Sequence, residues 1–217
     1  MKKSIILPVV FLLCFLTGFA QSPVLNADTI MKRVHRTFLS DSTREGNFVL
    51  NESKSGKTVS EAKGQIAWKH DRYFMSFSDT SGRTNKEFYN VADTLWIYDP
   101  KTNEVTINTN AAKGKSSGSM FYSGEFSQPR LTGQNDSIAT ITLFPTGTQQ
   151  TYFKIVLEID LRTYRERQVQ ICNKDQTIKT YKIAYTNCNG PVKPEVFLFD
   201  LKKCKPGLQI FDYRNDK

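Results

Sequence analysis

Thr94-Leu95-Trp96-Ile97-Tyr98-Asp99-Pro100-Lys101-Thr102-Asn103-Glu104-Val105-Thr106-Ile107-Asn108 decides the fold class. Two short runs rich in β-branched and aromatic residues flank an Asp-Pro turn, the signature of a hairpin. So short a connection makes the two strands antiparallel neighbours, because a parallel pair needs a crossover of a dozen or more residues.

The same pattern repeats outward along the chain. Thr58 to Trp68, Tyr73 to Phe77, Glu87 to Val91, Thr94 to Tyr98 and Glu104 to Asn108 read as one series of strands. Ile138 to Phe144, Tyr152 to Leu161, Tyr164 to Cys172, Thr177 to Tyr185, Val196 to Phe199 and Leu208 to Phe211 form another. Ahead of them stands one convincing helix. Asn26 reads as its cap, Leu25 and Ile30 as a hydrophobic staple, and Ile30, Val34 and Phe38 as an apolar stripe fading at Ser40-Asp41-Ser42. The expected architecture is mainly β with flanking helices: a mostly antiparallel sheet, curved or closed, packed on that helix.

Strand alternation shows how much has to be buried. Phe153, Ile155, Leu157, Ile159 and Leu161 place five large apolar side chains on one face of a single strand. Tyr73, Met75 and Phe77 do the same, as do Trp96 with Tyr98, and Tyr181, Ile183 and Tyr185. One helix cannot cover such a sheet. Either the sheet folds over and fills its own core, or it leaves an apolar cavity for a ligand. Between the two series, residues 110–134 are rich in Gly and Ser yet hold Met120, Phe121, Tyr122, Phe126 and Leu131. Large apolar groups on such a backbone suit a lid better than a linker.

Composition sets the class. The 217 residues carry 39% hydrophobic and 24% charged side chains, close to globular averages, which excludes wholesale disorder. Lys2 and Lys3, the apolar run Ile5 to Leu16 and the small residues Gly18 and Ala20 have the layout of a cleavable secretory signal over residues 1–20. Residues 21–217 then form one exported domain without an anchor; Cys14 lacks the small neighbour that lipid attachment requires. Export permits disulfides, but Cys172, Cys188 and Cys204 are an odd number; Cys188 with Cys204 is the favoured pair, and three small buried residues the alternative.

Catalytic signatures are weak. His35 and His70 have no ligand-like partners in sequence, so neither a metal nor a cofactor is expected. Gly56-Lys57-Thr58 ends like a phosphate loop, but Asn51 stands where its first glycine belongs. Gly114-Lys115-Ser116-Ser117-Gly118 matches a nucleophile motif on paper, without a strand-to-helix elbow or a following His. Asp99 and Glu104 bracket a turn, where solvated acids are routine. The net charge of +9 is scattered rather than clustered, which argues against nucleic acid and suits an anionic membrane surface, acidic proteins or plain solubility.

Three stretches carry a resemblance. Asp93 to Ile107, with its Leu95-Trp96-Ile97-Tyr98 strand and Asp99-Pro100 hairpin, resembles the LolA family of periplasmic lipoprotein carriers. Lys63-Gly64-Gln65-Ile66 through Trp68-Lys69, followed by Tyr73-Phe74-Met75-Ser76-Phe77, is similar to that family's Gly-start strand and aromatic-rich neighbour. Val196-Phe197-Leu198-Phe199 and Pro206-Gly207-Leu208-Gln209-Ile210-Phe211-Asp212 are similar to its closing signature. The match spans roughly residues 26 to 213 in order and spacing.

The resemblance implies a half-closed antiparallel β-barrel with a helix and loop lid over an apolar cavity. It implies a carrier without enzyme activity, a monomer that takes lipoprotein acyl chains from an inner-membrane transporter to an outer-membrane acceptor. An envelope sensor of lipids or mislocalised lipoproteins is the alternative, and a hydrolase survives only if Ser116 finds a base. Tyr73, Met75, Phe77, Trp96, Tyr98, Phe153, Ile155 and Leu157 are expected to line the cavity, and Ile30, Val34, Phe38, Phe121 and Phe126 to cover it. Where the family has a lid-latching arginine this chain reads Lys69-His70-Asp71, leaving His70 or Arg72 for that role, or a plain turn.

Overall fold

The computed structural model describes residues 25–70, 72–109, 119, 121–122 and 124–214. The expected signal over residues 1–20, Asp71 and Ser116 lie outside them. Helix α1 spans Ala27–Ser40, and the Asn26 side chain accepts a 2.8 Å hydrogen bond from the Thr29 N–H, as a cap does. Its stripe of Ile30, Val34 and Phe38 is buried. Twelve strands follow among the described residues: β1 (Arg44–Lys54), β2 (Lys57–Lys69), β3 (Arg72–Ser78), β4 (Thr84–Val91), β5 (Thr94–Asp99) and β6 (Glu104–Thr109) come first. β7 (Arg130–Gln134), β8 (Ile138–Leu143), β9 (Tyr152–Asp160), β10 (Arg165–Asn173), β11 (Thr177–Cys188) and β12 (Gln209–Asp212) complete them.

All twelve join one sheet in the order β12-β6-β5-β4-β3-β2-β1-β11-β10-β9-β8-β7. The sheet is not closed; with its helix it is a half-open barrel. Neighbours are antiparallel except β12, which runs parallel to β6 after the chain has crossed the sheet from β11.

Two strands go beyond the sequence expectation. β1 carries only Phe48, Val49 and Leu50 as large apolar residues, yet it lies mid-sheet, paired with β2 on one side and β11 on the other. Its hairpin to β2 turns on Ser55 and Gly56, both at positive φ (49° and 78°), the geometry that matches strand twist. β7 is a short edge strand within the stretch read as loop. Conversely, Val196 to Phe199, expected as a strand, opens as a 3₁₀ turn over Pro194–Phe197 because proline starts it.

The pleat sorts the side chains onto two faces. We call the face under α1 the inner one. Phe48 and Leu50 of β1, Ile66 of β2, Met75 and Phe77 of β3, Tyr181 and Ile183 of β11, Val169 of β10, and Ile155, Leu157 and Ile159 of β9 pack there with the helix. On the outer face, the C-terminal segment packs Phe199 against Tyr89, Trp96 and Tyr98, at ring separations of 5.5–5.6 Å.

Gly64 on β2 lies opposite Phe48 on β1, and a Cβ built on it would stand 2.0 Å from the Phe48 ring. The ring therefore fills the space of the missing side chain. Gly64→Ala should destabilise the protein by about 1–3 kcal/mol through overpacking. Gly147→Ala, whose added methyl meets nothing within 4 Å, should leave the urea midpoint unchanged. Paired urea titrations of the two variants check this.

Candidate functional site

The candidate site is the inner face, and Phe48 is its centre. Its ring meets Phe77 at 5.1 Å, Tyr181 at 5.8 Å and Phe121 of the loop at 5.9 Å. Phe77 passes the contact on to Phe88 of β4 at 5.7 Å. An aromatic row thus crosses the sheet from β11 to β4, with Phe121 set onto it from above.

Along this row burial divides the face in two. Ile141 on β8, Ile155, Leu157 and Ile159 on β9 and Val169 on β10 are fully enclosed with Ile30 and Val34 of the helix. Tyr73, Met75 and Phe77 on β3, with Phe88 and Ile97 in register beside Met75, are only half-buried.

Of the eight residues expected to line a cavity, the structure brings five to this face. Tyr73, Met75 and Phe77 stand on the half-buried side, and Ile155 and Leu157 on the enclosed side. Trp96 and Tyr98 stand on the outer face against Phe199. Their parity follows from the register Met75↔Phe88↔Ile97, which leaves Trp96 beside Tyr89 and pointing the other way. Phe153 is 48% exposed, because a register shift at the start of β9 pairs Tyr152 with Asn173 and Lys154 with Cys172 and turns Tyr152 inward instead. All five residues expected as cover pack on the protein: Ile30, Val34, Phe38 and Phe121 are buried, and Phe126 stacks on Tyr152 at 6.4 Å.

The loop is held as well as packed. Ser127 N–H donates to Phe144 O (2.9 Å) and Thr146 N–H to Glu125 O (3.0 Å), which ties residues 125–127 to the end of β8. The Tyr122 ring meets Phe126 edge-on at 5.7 Å.

One end of the inner face is polar. Asp41, the C-cap of α1, accepts from Arg44 Nε (2.8 Å), Arg165 Nε and Nη2 (3.0 and 2.9 Å) and Asn189 Nδ2 (3.0 Å). Burial alone would raise the Asp41 pKa, but the Arg165 hydrogen bond, the Arg44 charge and Asn189 hold it below the ordinary value. Arg44 is itself buried, its guanidinium 4.8 Å from the Phe38 ring and 5.7 Å from that of Tyr185.

Beside Arg44 lies Glu166, also buried. A bulge between Glu166 and Gln168 sets Glu166 opposite the inner-face residue Ile159. Tyr122 and Ser119 of the loop and Tyr185 of β11 surround its carboxyl. Burial pushes the Glu166 pKa up from 4.5 to about 7, against the opposing pull of Ser119, Arg44 and the two tyrosines.

Sequence reading missed this cluster because Glu166 sits in a run that alternates charge and amide. Only the bulge brings it inside. His70 is an exposed turn residue at φ 53°, its ring 6.4 Å from that of Trp68. Cys172, Cys188 and Cys204 are all free, so the expected Cys188–Cys204 pair is not formed. Cys188 lies beside Arg165 and Asp41, whereas Cys204 packs near Trp96 and Phe199.

A cavity of about 580 Å³ opens on the outer face, lined mainly by Asn47, Val49, Gln65, Phe74 and Ser76 with Lys63 and Lys182. Its mixed lining distinguishes it from the apolar inner face. Among the described residues, no group of three or more His, Cys, Asp or Glu is placed to hold a metal ion, and no helix is long and apolar enough to cross a membrane.

No protein-family model matches the chain, and no curated protein matches it by sequence. Solved structures do match. An uncharacterized conserved protein from Thermus thermophilus shares the fold at TM-score 0.55 and 13% identity, over 86% of this chain and 98% of that one. A LolA superfamily protein from Nitrosomonas europaea aligns at TM-score 0.42 and 10% identity, over 81% and 98% of the two chains. The MucA–MucB complex of Pseudomonas aeruginosa contains a chain that aligns at TM-score 0.47 and 12% identity, over 82% of this chain and 62% of that one. At 13% identity the likeness to the Thermus protein is one of fold alone.

The Glu166 carboxyl makes stability depend on pH. Its pKa is higher in the folded protein, so the fold binds this proton more tightly than the unfolded chain does. Stability should be greatest below pH 4.5 as far as this group is concerned, fall as pH rises to about 7 and level off above, a loss of about 3 kcal/mol. Asp41 acts in the opposite sense and in a separate window, below its ordinary value of 3.8. Thermal melts from pH 4.5 to 8 should show the decline in the native protein and a flatter profile in Glu166→Gln.

Proposed function

We propose that the protein is a periplasmic carrier that shields lipoprotein acyl chains between the inner and outer membranes, by binding alone and without covalent chemistry. The observation that carries the reading is the half-buried apolar strip of Tyr73, Met75, Phe77, Phe88 and Ile97, continuous with the aromatic row under Phe121. Its chemistry suits an acyl chain. Each buried methylene contributes about 0.8 kcal/mol, so a chain of about 15 methylenes brings roughly 12 kcal/mol before the cost of ordering it.

The half-open barrel with its helix, the resemblance of Asp93 to Ile107 to the LolA family and a leader with the layout of a secretory signal agree with this reading. An inner-membrane transporter as donor and an outer-membrane acceptor belong to the same proposal.

The test is retention of lipid by protein isolated from its native envelope. Mass spectrometry of the extract should find acyl-bearing molecules at near-stoichiometric amounts. Met75→Asp places a charge on the half-buried strip rather than in the enclosed core; it should lower retention at least about tenfold while the far-ultraviolet spectrum stays native. Protein that carries no lipid and takes none from myristoyl-lipid vesicles would remove the basis for the proposal.

A further inference from the structure

The outer-face cavity of about 580 Å³ has its charges sorted from one end to the other. Val49 of β1 pairs with Lys182 of β11 on one side and Lys63 of β2 on the other, so two ammonium groups flank one valine. Two residues along, Asn47, Gln65, Ser76 and Glu87 form a row across β1 to β4. The row starts with amides and ends with a carboxylate, which accepts from Tyr89 Oη at 2.7 Å. Past Phe74 the cavity continues into a hollow of about 380 Å³ that adds Glu45 and Lys203. One end therefore carries two cations; the other carries two carboxylates and one cation.

These groups are within reach of solvent. Lys63, Lys182, Asn47 and Gln65 are exposed, and among the described residues none of the four is engaged in a side-chain hydrogen bond or ion pair. The volume is that of a small-molecule site. From Val49 on β1 to Glu87 on β4 there are three strand spacings, about 14 Å at about 4.8 Å each. An extended chain of about four residues covers that span at about 3.3 Å per residue.

The order of the groups selects the ligand. Each side-chain amide offers donors and an acceptor, which suit the donor and acceptor of a peptide unit. A peptide with free ends also supplies matching charges: a carboxylate for the two lysines and an ammonium for Glu87. An acidic saccharide supplies only the first. Val49 and Phe74 leave apolar surface for small side chains.

We propose that the outer-face cavity binds a short peptide with free termini. Its carboxylate sits between Lys63 and Lys182, its backbone lies on Asn47 and Gln65, and its amino end points to Glu87. The site is on the other face of the sheet from the acyl-chain strip and is independent of it.

A nitrogen-15 chemical-shift titration of the protein with tetra-alanine at low ionic strength tests this. The C-terminal amide, the N-acetyl form and digalacturonate serve as comparisons. Tetra-alanine should move the Asn47, Gln65 and Ser76 resonances. Removing either terminal charge from the peptide should raise the dissociation constant about fivefold, as befits solvent-accessible ion pairs. In Lys63→Met/Lys182→Met the acid and its amide should bind alike while the N-acetyl penalty remains; in Glu87→Gln the reverse should hold. Both lysines are at the surface and Gln keeps an acceptor for Tyr89, and the dispersion of each spectrum reports the fold.

No shifts at these residues, equal affinity for free and capped peptides, or penalties that the variants leave unmoved overturn the peptide site. Digalacturonate binding there as tightly as tetra-alanine overturns it in favour of an acidic saccharide.

Discussion

The Phe48 ring lying in the space of a missing Gly64 side chain is the contact from which the inner face is built. A ring stacked this close to its neighbour strand cannot be moved along the sheet without meeting a Cβ. It is therefore a fixed post, and Phe77, Tyr181 and Phe121 are placed by touching it. Because β1 is central, the post stands near the middle of a twelve-stranded sheet. The loop can then be seated by a few aromatic contacts rather than by secondary structure of its own.

Charge holds the same region from the other side. Asp41 ends α1 and gathers Arg44 of β1, Arg165 of β10 and Asn189 after β11, so one carboxylate joins the helix to three parts of the sheet. Its four donors compensate for burial, and the carboxyl stays ionised. Glu166, the residue after Arg165 on the same strand, has weaker partners, and burial dominates. Two acids in one neighbourhood thus end on opposite sides of their ordinary values. The first is a joint that works at any physiological pH. The second is balanced between protonation states, which makes it responsive to what lies beside it.

The sequence made the strand content, the leading helix and the antiparallel hairpins legible, because periodicity and turn residues are local signals. It also marked Phe121 and Phe126 as apolar groups out of place in a Gly- and Ser-rich stretch. What it could not mark was parity across irregularities. The bulge at the start of β9 reversed Phe153, and the bulge in β10 brought Glu166 in. Alternation places Trp96 and Tyr98 on one face of their strand, but which face is inner is a property of cross-strand register, which a run of alternating residues leaves free. β1 escaped notice because a central strand needs little apolar content when both neighbours supply it.

The division of the inner face gives the fold and the proposed binding separate supports. Ile141, Ile155, Leu157, Ile159 and Val169 are sealed under α1, and their burial does not depend on what the other half holds. Tyr73, Met75, Phe77, Phe88 and Ile97 keep part of their surface outside that core, so covering them adds free energy without having been needed to form the sheet. A carrier requires this separation. If the surface that binds the passenger were also the surface that stabilises the fold, release would threaten the protein itself. Phe121 and Tyr122 lie at the junction of the two halves, in contact with the Phe48 post and near the polar end. A ligand that reached the strip would have to contend with them before it met the core.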